Sequence, residues 1–484
     1  MTPPAQRMAA VVALMAIWWI TEATHIALTA LIPIVAFPLL GIMASEDVAP
    51  HYANHLIYLY IGGFIVALAM EKWNLHRRVA LATIAKVGTE PRRLVLGFMT
   101  ATAGISLWVS NTATTLMMLP VAMAVVNQTA ESARIDGAAG AETPDRVRNS
   151  FGIVLLLGVA YAASIGGVGT IVGTPTNVAL LGFLEERFPQ NPTISFFDWM
   201  LVGVPIVIVF LPIAWLYLCR FGGGISLGRI EFAATHTVIQ EERRKLGSMT
   251  PPEKIVLIAF GCLAFLWVFR SPIQVGAFRI PGWSGVFPWP EFLDDATVSV
   301  LIGVILCLLP AKGAGGSGEG AGPRFIMDWR TIETGVPWGV VILFGGGFAL
   351  AAGLQHSGLA AWIGSLMAGL KGTPLWLIFP LACAFAVVMT EMTSNVATVL
   401  MICPVLAEAA IELGINPYLV LIPATIMASF AFMLPVATPP NAIVFSSGWI
   451  TIPAMFRAGA MLDAIAVLLL PAAVYLLGNM VFRF

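Results

Sequence analysis

The chain has 484 residues, of which 58% are hydrophobic and 11% charged, and its mean hydropathy is +0.89; a soluble domain carries about a quarter charged residues, so soluble and disordered chains are both excluded. The 25 Lys and Arg balance 26 Asp and Glu to a formal charge of −1, which leaves no basic field for a nucleic-acid partner. What remains is an all-α polytopic membrane protein, with the lipid bilayer as its solvent.

About 20 apolar residues cross a bilayer, and on that length ten spans are predicted, near residues 8–23, 25–42, 56–72, 150–185, 197–219, 254–271, 296–311, 335–354, 416–449 and 457–481. The stretches 150–185 and 416–449 are too long for one crossing. Gly173-Thr174-Pro175 and Thr438-Pro439-Pro440 interrupt them, which predicts two helices broken at mid-membrane. Two further apolar stretches, 94–126 and 375–410, carry polar residues at their centres and read as spans or as re-entrant hairpins.

Lys and Arg in short loops mark the cytoplasmic side. The 72–93 loop holds Lys72, Arg77, Arg78, Lys86, Arg92 and Arg93, whereas the 43–55 loop holds Glu46 and Asp47 and no Lys or Arg. If both hairpins return to the side they entered from, 19 of the 25 Lys and Arg fall in cytoplasmic loops at 72–93, 127–149, 220–254, 311–334 and 450–457. Two re-entrant helical hairpins are therefore expected. The same count puts the N-terminus outside, where Arg7 alone precedes a first span with no evident cleavage site, so that span does not read as a signal peptide. The Gly-rich 313–323 segment reads as a flexible cytoplasmic linker, and Glu-Glu-Arg-Arg-Lys at 241–245 as a solvated helix face. Trp283 and Trp289 suit interfacial anchors.

The two halves repeat each other. Gly62-Gly63-Phe64 is matched by Gly346-Gly347-Phe348 and Ser110-Asn111 by Ser394-Asn395, both at an offset of 284 residues, with Thr390 the counterpart of Ser106. Gly173-Thr174-Pro175-Thr176-Asn177 and Ala437-Thr438-Pro439-Pro440-Asn441 follow further along each half. The first hairpin enters from the cytoplasm and the second from outside, so the halves, 1–240 and 241–484, are inverted repeats. Such repeats with discontinuous helices place a binding site at the midplane, the arrangement of secondary transporters. None of the four motifs carries Lys or Arg. An anion there is held by backbone N–H groups at half-helix N-termini and by Ser, Thr and Asn side chains, while carbonyl, hydroxyl and amide oxygens suit a hard monovalent cation such as Na⁺.

From Trp18-Trp19-Ile20-Thr21-Glu22-Ala23 through Ser110-Asn111-Thr112 and Ser394-Asn395-Val396 to Thr438-Pro439-Pro440-Asn441, nearly the whole chain resembles the divalent anion/sodium symporter family, the INDY-type carriers of di- and tricarboxylates. The resemblance implies a homodimer in which each protomer has a scaffold and a transport domain, the latter containing both hairpins and moving as an elevator. It implies one Na⁺ at Ser106, Ser110, Asn111 and the Gly173 carbonyl, and a second at Thr390, Thr393, Asn395 and the Ala437 carbonyl. It assigns the substrate carboxylates to Asn111, Thr112 and Thr174 on one side and to Ser394, Asn395 and Pro439 on the other. Two departures stand out: Val396 replaces a Thr found in some members, and the further helix that the family commonly has before the Trp18 segment is not seen here.

The remaining candidates are weaker. Glu22, Glu391 and Asp463 lie in or near apolar runs, where an ionisable residue is a functional candidate by default. Each reads better as a structural brace, with proton carriage or cation ligation by Glu391 as the alternative. Six scattered histidines show no metal spacing, and Cys219, Cys262, Cys307, Cys383 and Cys403 lie in apolar runs without a CxxC, as small packing residues. A membrane hydrolase would need a nucleophile with a base, and neither GxSxG nor a His near the Ser-Asn motifs is present; a channel would need a continuous filter. The expected function is therefore not enzymatic: Na⁺-coupled uptake of succinate, malate or fumarate across the inner (cytoplasmic) cell membrane. Dicarboxylate exchange without net Na⁺ coupling, or carriage of sulfate or tricarboxylates, are the alternatives.

Overall fold

Pro175 and the Pro439-Pro440 pair determine where the long apolar runs break. Proline has no N–H to continue a helix but fits the first turn of a new one, and Thr174 and Thr438 precede these prolines in extended conformations, as N-caps. In the computed structural model, which describes residues 1–87, 90–135, 148–221, 235–275, 278–311, 325–367 and 372–482, the first run becomes Ile153–Gly167 and Pro175–Arg187. The second becomes Tyr418–Ser429 and Pro439–Phe445.

The hairpins form where expected, with arms Pro91–Ser106 and Asn111–Ile135 in the first and Leu375–Met392 and Asn395–Glu412 in the second. Two helices escaped the sequence reading, Leu75–Val87 and Leu359–Met367. They enlarge the repeat: the helices beginning at Leu75, Pro91 and Asn111 recur at Leu359, Leu375 and Asn395, each 284 residues on. The repeated glycine motif is a packing device. A Cβ on Gly62 would lie 2.4 Å from Ser299 Oγ, and one on Gly346 would lie 2.3 Å from the Ala30 carbonyl oxygen, so both helices are in backbone-close contact with a neighbour.

Among the described residues ten helices are long and apolar enough to cross a membrane, but they are not the ten expected. Three are hairpin arms. The predicted span at 25–42 divides into Ile26–Thr29 and Ile32–Leu39, where Pro33 lies in the first turn of the second piece; the span at 296–311 is the shorter Asp295–Leu308. A two-stranded antiparallel ribbon, Ile273–Val275 with Phe278–Ile280, qualifies the all-α expectation. The 313–323 linker lies outside the described residues.

The first halves of the two broken helices form the centre. Every residue of Ile153–Gly167 after Ile153 and every residue of Tyr418–Ser429 is buried, as expected for helices apolar on all sides. Tyr161 ties the repeats together, donating to the Phe432 carbonyl at 2.9 Å. The outer helices instead show Ile208, Val209, Ile258, Phe265, Leu468 and Leu476 to their surroundings, a lipid-facing surface. Cys262 lies on such a face and is exposed, unlike the buried Cys219, Cys383 and Cys403.

Ion pairs separate two faces of the molecule. Lys72 meets Asp328 at 2.5 Å, Arg78 meets Glu253 at 3.0 Å and Arg77 meets Glu242, all at the Lys- and Arg-rich end of helix His55–Lys72. At its other end His51 meets Glu186 at 3.0 Å, and His55 lies 3.6 Å from Glu185 and 3.9 Å from Asp294. The 72–93 and 43–55 loops, separated by charge in the sequence, therefore lie at opposite ends of this helix. The 241–245 charges lie on helix Thr235–Leu246 of the cytoplasmic face.

Candidate functional site

Four helix starts converge on one cavity. Ser110 Oγ accepts the Ala113 amide at 3.2 Å and so caps the second arm of the first hairpin; Thr438 Oγ1 accepts the Asn441 amide at 3.3 Å. Thr174 and Ser394 occupy the N-cap positions of the other two helices. All four residues line a cavity of about 780 Å³. Orphan N–H groups and the positive ends of the helix dipoles thus face a common space, as in sites for anions.

The proposed substrate residues Asn111, Thr112, Thr174, Ser394, Asn395 and Pro439 all line this cavity, with Ser110, Thr393 and Ala437 of the cation sets. Ser106 and Thr390 lie behind the tips and are fully buried, and Gly173 sits behind Thr174. Among the described residues that line the cavity there is no Lys or Arg.

Behind each tip the same oxygen cluster appears. Ser106 Oγ lies 2.6 Å from Asn111 Oδ1 and 2.7 Å from the Ala163 carbonyl oxygen. In the second repeat Thr390 Oγ1 lies 2.8 Å from Asn395 Oδ1 and 2.6 Å from the Ala428 carbonyl oxygen. A hydroxyl has one proton to give, so each cluster holds more oxygen lone pairs than hydrogens. Such a donor set fits a hard cation. Around Gly173 the carbonyl oxygens of Gly167, Ser106 and Leu107 crowd within 2.4, 2.9 and 3.0 Å of where a Cβ would be, which explains the glycine and brings more carbonyls to the first cluster. Thr393 is turned toward its own hairpin, donating to the Met389 carbonyl at 3.0 Å and meeting Thr398 Oγ1 at 2.6 Å.

The asparagines that end the break motifs hold the breaks open. Asn177 Nδ2 donates to the Thr170 carbonyl at 2.7 Å, with a longer contact to Val168 at 3.4 Å; Asn441 Nδ2 donates to the Ala431 and Leu434 carbonyls, both at 3.0 Å. Each thereby satisfies backbone acceptors that the interrupted helix leaves unpaired. Glu391 serves the backbone donors of the second break, accepting the Met433 amide at 2.8 Å and the Leu434 amide at 2.9 Å, in accord with its reading as a brace.

The opposite wall was not foreseen apart from Phe64 of the repeated glycine motif. Tyr60, Leu68, Glu71, Gly335, Pro337 and Val340 complete it, with Glu22. Glu22 ends its helix at φ +48°, is exposed and lines the cavity. Gly167 was missed as well, although it sets how near Asn111 can come: a Cβ there would lie 2.4 Å from Asn111 Oδ1. Leu68 and Glu71 lie near the Lys72 end of helix His55–Lys72, and Pro337 and Val340 at the start of helix Trp338–His356.

A family model described as the sodium:sulfate symporter transmembrane region matches residues 1–484. The sodium-dependent dicarboxylate transporter SdcS of Staphylococcus saprophyticus is 38% identical over 462 residues, which cover 96% of this chain and 84% of that protein. SdcS of Staphylococcus aureus is 39% identical over 460 residues, covering 95% and 83%. Among solved structures the Alcanivorax borkumensis YdaH transporter aligns with a TM-score of 0.59 over 100% of this chain and 99% of that one, at 14% identity, a likeness of fold alone. Matched along its whole length, the chain belongs to the sodium:sulfate symporter family, the divalent anion/sodium symporters that its paired Ser-Asn motifs resemble, and is a multi-pass secondary transporter and not an enzyme.

Proposed function

We propose that the protein takes up C4 dicarboxylates such as succinate, malate and fumarate together with Na⁺, across the cytoplasmic membrane. The observation that carries this reading is the convergence of four helix starts, two from each repeat, on a cavity whose described lining has no Lys or Arg. A helix N-terminus stabilises an anion by roughly 0.3–1 kcal/mol, and by about 2 kcal/mol at best. A unit cation about 4 Å from a unit anion contributes on the order of 4 kcal/mol in a partly screened site. Bound cations therefore decide whether a dianion stays, and the oxygen clusters behind the tips are where those cations belong.

In this reading Ser106, Ser110, Asn111 and the Gly173 carbonyl hold one Na⁺, and Thr390, Thr393, Asn395 and the Ala437 carbonyl hold a second. The substrate carboxylates bind Asn111, Thr112 and Thr174 on one side and Ser394, Asn395 and Pro439 on the other. Val396 gives the second tip methyls where Thr112 gives the first a hydroxyl, so the two carboxylate seats are unequal. The hairpins and broken helices form a transport domain that moves as an elevator against a scaffold, within a homodimer. The repeats divide near residue 240. The names of the SdcS relatives support sodium dependence and dicarboxylates.

The test is uptake of labelled succinate by proteoliposomes. A rate that rises with an inward Na⁺ gradient, and is lost in the Asn111→Ala, Asn395→Ala double variant while that protein still purifies folded, is the expected result. Equal rates with and without the gradient would leave exchange as the function, and transport of sulfate but not succinate would replace the substrate.

A further inference from the structure

The cavity at the helix starts has two electrically unlike walls. One is made of the N-terminal ends of four helices, the positive ends of their dipoles. To the other, helix Pro3–Thr21 contributes its C-cap residue Glu22, and helix His55–Lys72 its last turn with Glu71. Each carboxyl thus adds to the negative end of a helix dipole. Glu22 is exposed and Glu71 half-buried, and among the described residues neither forms an ion pair: the Lys72 ammonium next to Glu71 is taken by Asp328 at 2.5 Å. The start of helix Trp338–His356 also reaches this wall. It offsets little, since the Trp338 and Val340 amides already donate to the Val336 and Pro337 carbonyls.

Volume does not select among small anions here. About 780 Å³ lies in the range that holds drug-sized ligands, so a tricarboxylate fits as readily as a dicarboxylate. Charge does select. With one carboxylate seated by each repeat, a C4 dianion turns only its carbon chain toward Glu22 and Glu71. A third carboxylate finds no third pair of helix starts and faces the two carboxyls, where like charges repel in a space screened less than bulk water.

We propose that Glu22 and Glu71 are specificity-determining residues that limit the substrate to two negative charges: they reject a third anionic group and favour a cationic substituent in the same place. The proposal rests on the carboxylate seats proposed above, and it excludes tricarboxylates by charge where the volume of the cavity admits them.

Competition with labelled succinate in proteoliposomes tests this, at a pH where every carboxyl of the competitor is ionised. The competitors differ in what they carry beside two carboxylates: malate a hydroxyl, aspartate an ammonium, tricarballylate a third carboxylate. In the Glu22→Gln, Glu71→Gln double variant the inhibition constant of tricarballylate relative to malate should fall at least about tenfold, the scale of one unit-charge repulsion across roughly 10 Å of a partly screened cavity. That of aspartate relative to malate should rise. Opposite shifts are the mark of charge, because a merely structural disturbance moves both ratios alike. The Glu22→Asp, Glu71→Asp pair, which keeps both charges, should retain the wild-type ratios. If the double Gln variant does not fold, Glu22→Gln alone, at an exposed residue, has to show the same two shifts at smaller size. Unchanged ratios, or ratios that move together, overturn the proposal. If wild type takes up no succinate, the dicarboxylate reading fails by itself. The wall is then judged by thermal unfolding of the purified proteins in Na⁺, where tricarballylate relative to sulfate has to stabilise the double Gln variant more than wild type, or the proposal fails too.

Discussion

Asn111 and Asn395, which line the cavity, were legible as site candidates because they recur with Ser at a fixed offset between apolar helices. Gly167 was not, since a glycine in an apolar run looks like ordinary membrane-helix packing, and its closeness to Asn111 depends on how two distant segments dock. The structure makes its role testable. A Cβ on Gly167 would come to 2.4 Å from Asn111 Oδ1, whereas one on Gly104 would meet nothing within 4 Å. Gly167→Ala should therefore displace the first Ser-Asn tip and reduce uptake at least about tenfold, a loss of roughly 1.4 kcal/mol, while Gly104→Ala transports normally. Uptake kinetics of the two variants side by side check this, and equal activity would separate Gly167 from the site.

At the scale of elements, the broken helices were predicted from Pro and Gly at the centre of runs too long for one crossing, and the hairpins from the balance of Lys and Arg. Leu75–Val87 and Leu359–Met367 were missed because each is shorter than a membrane crossing and so falls below a length criterion. The function of Asn177 and Asn441 was also hidden, because their partners are backbone carbonyls that no sequence pattern marks. Their contacts differ in quality, two bonds of 3.0 Å for Asn441 against one of 2.7 Å and one of 3.4 Å for Asn177. Each buried carbonyl left without a donor costs about 1–3 kcal/mol. Asn441→Ala should consequently destabilise the purified protein more than Asn177→Ala, as read by thermal unfolding in detergent; the reverse order would contradict the bracing role.

For the molecule as a whole, the ion pairs of Lys72, Arg77 and Arg78 gather at one end of helix His55–Lys72 and those of His51 and His55 at the other, which agrees with the separation read from the charges of the 72–93 and 43–55 loops. The wall opposite the hairpin tips was beyond the sequence, because it depends on how the hairpins sit against Tyr60, Glu71 and Val340. The cytoplasmic face has one tie with a clear pH signature. Asp328 caps a helix, accepting the Thr331 amide, and Lys72 holds its carboxyl down to about 2. A carboxyl depressed by folding contributes stability in full above its unfolded value of about 4 and loses it as the pH falls toward 2. Lys72→Met should lower stability above pH 4, by less than about 1 kcal/mol because the Asp328 side chain is 43% exposed. The gap from wild type should then close on acidification, and unfolding curves across that range would show it.

At the end of helix His55–Lys72 away from Lys72, His51 meets Glu186 and His55 lies beside Glu185 and Asp294; none of these residues lines the cavity at the Ser-Asn tips. In the elevator cycle proposed above, opening the cavity toward that end would part these pairs, so they would set how often an empty carrier waits there. Apparent affinity measured from outside is the intrinsic affinity scaled by that waiting fraction. Loosening the seam, for instance with His51→Ala, should therefore shift the external half-saturation of every transported anion by one common factor and leave the ranking among anions untouched.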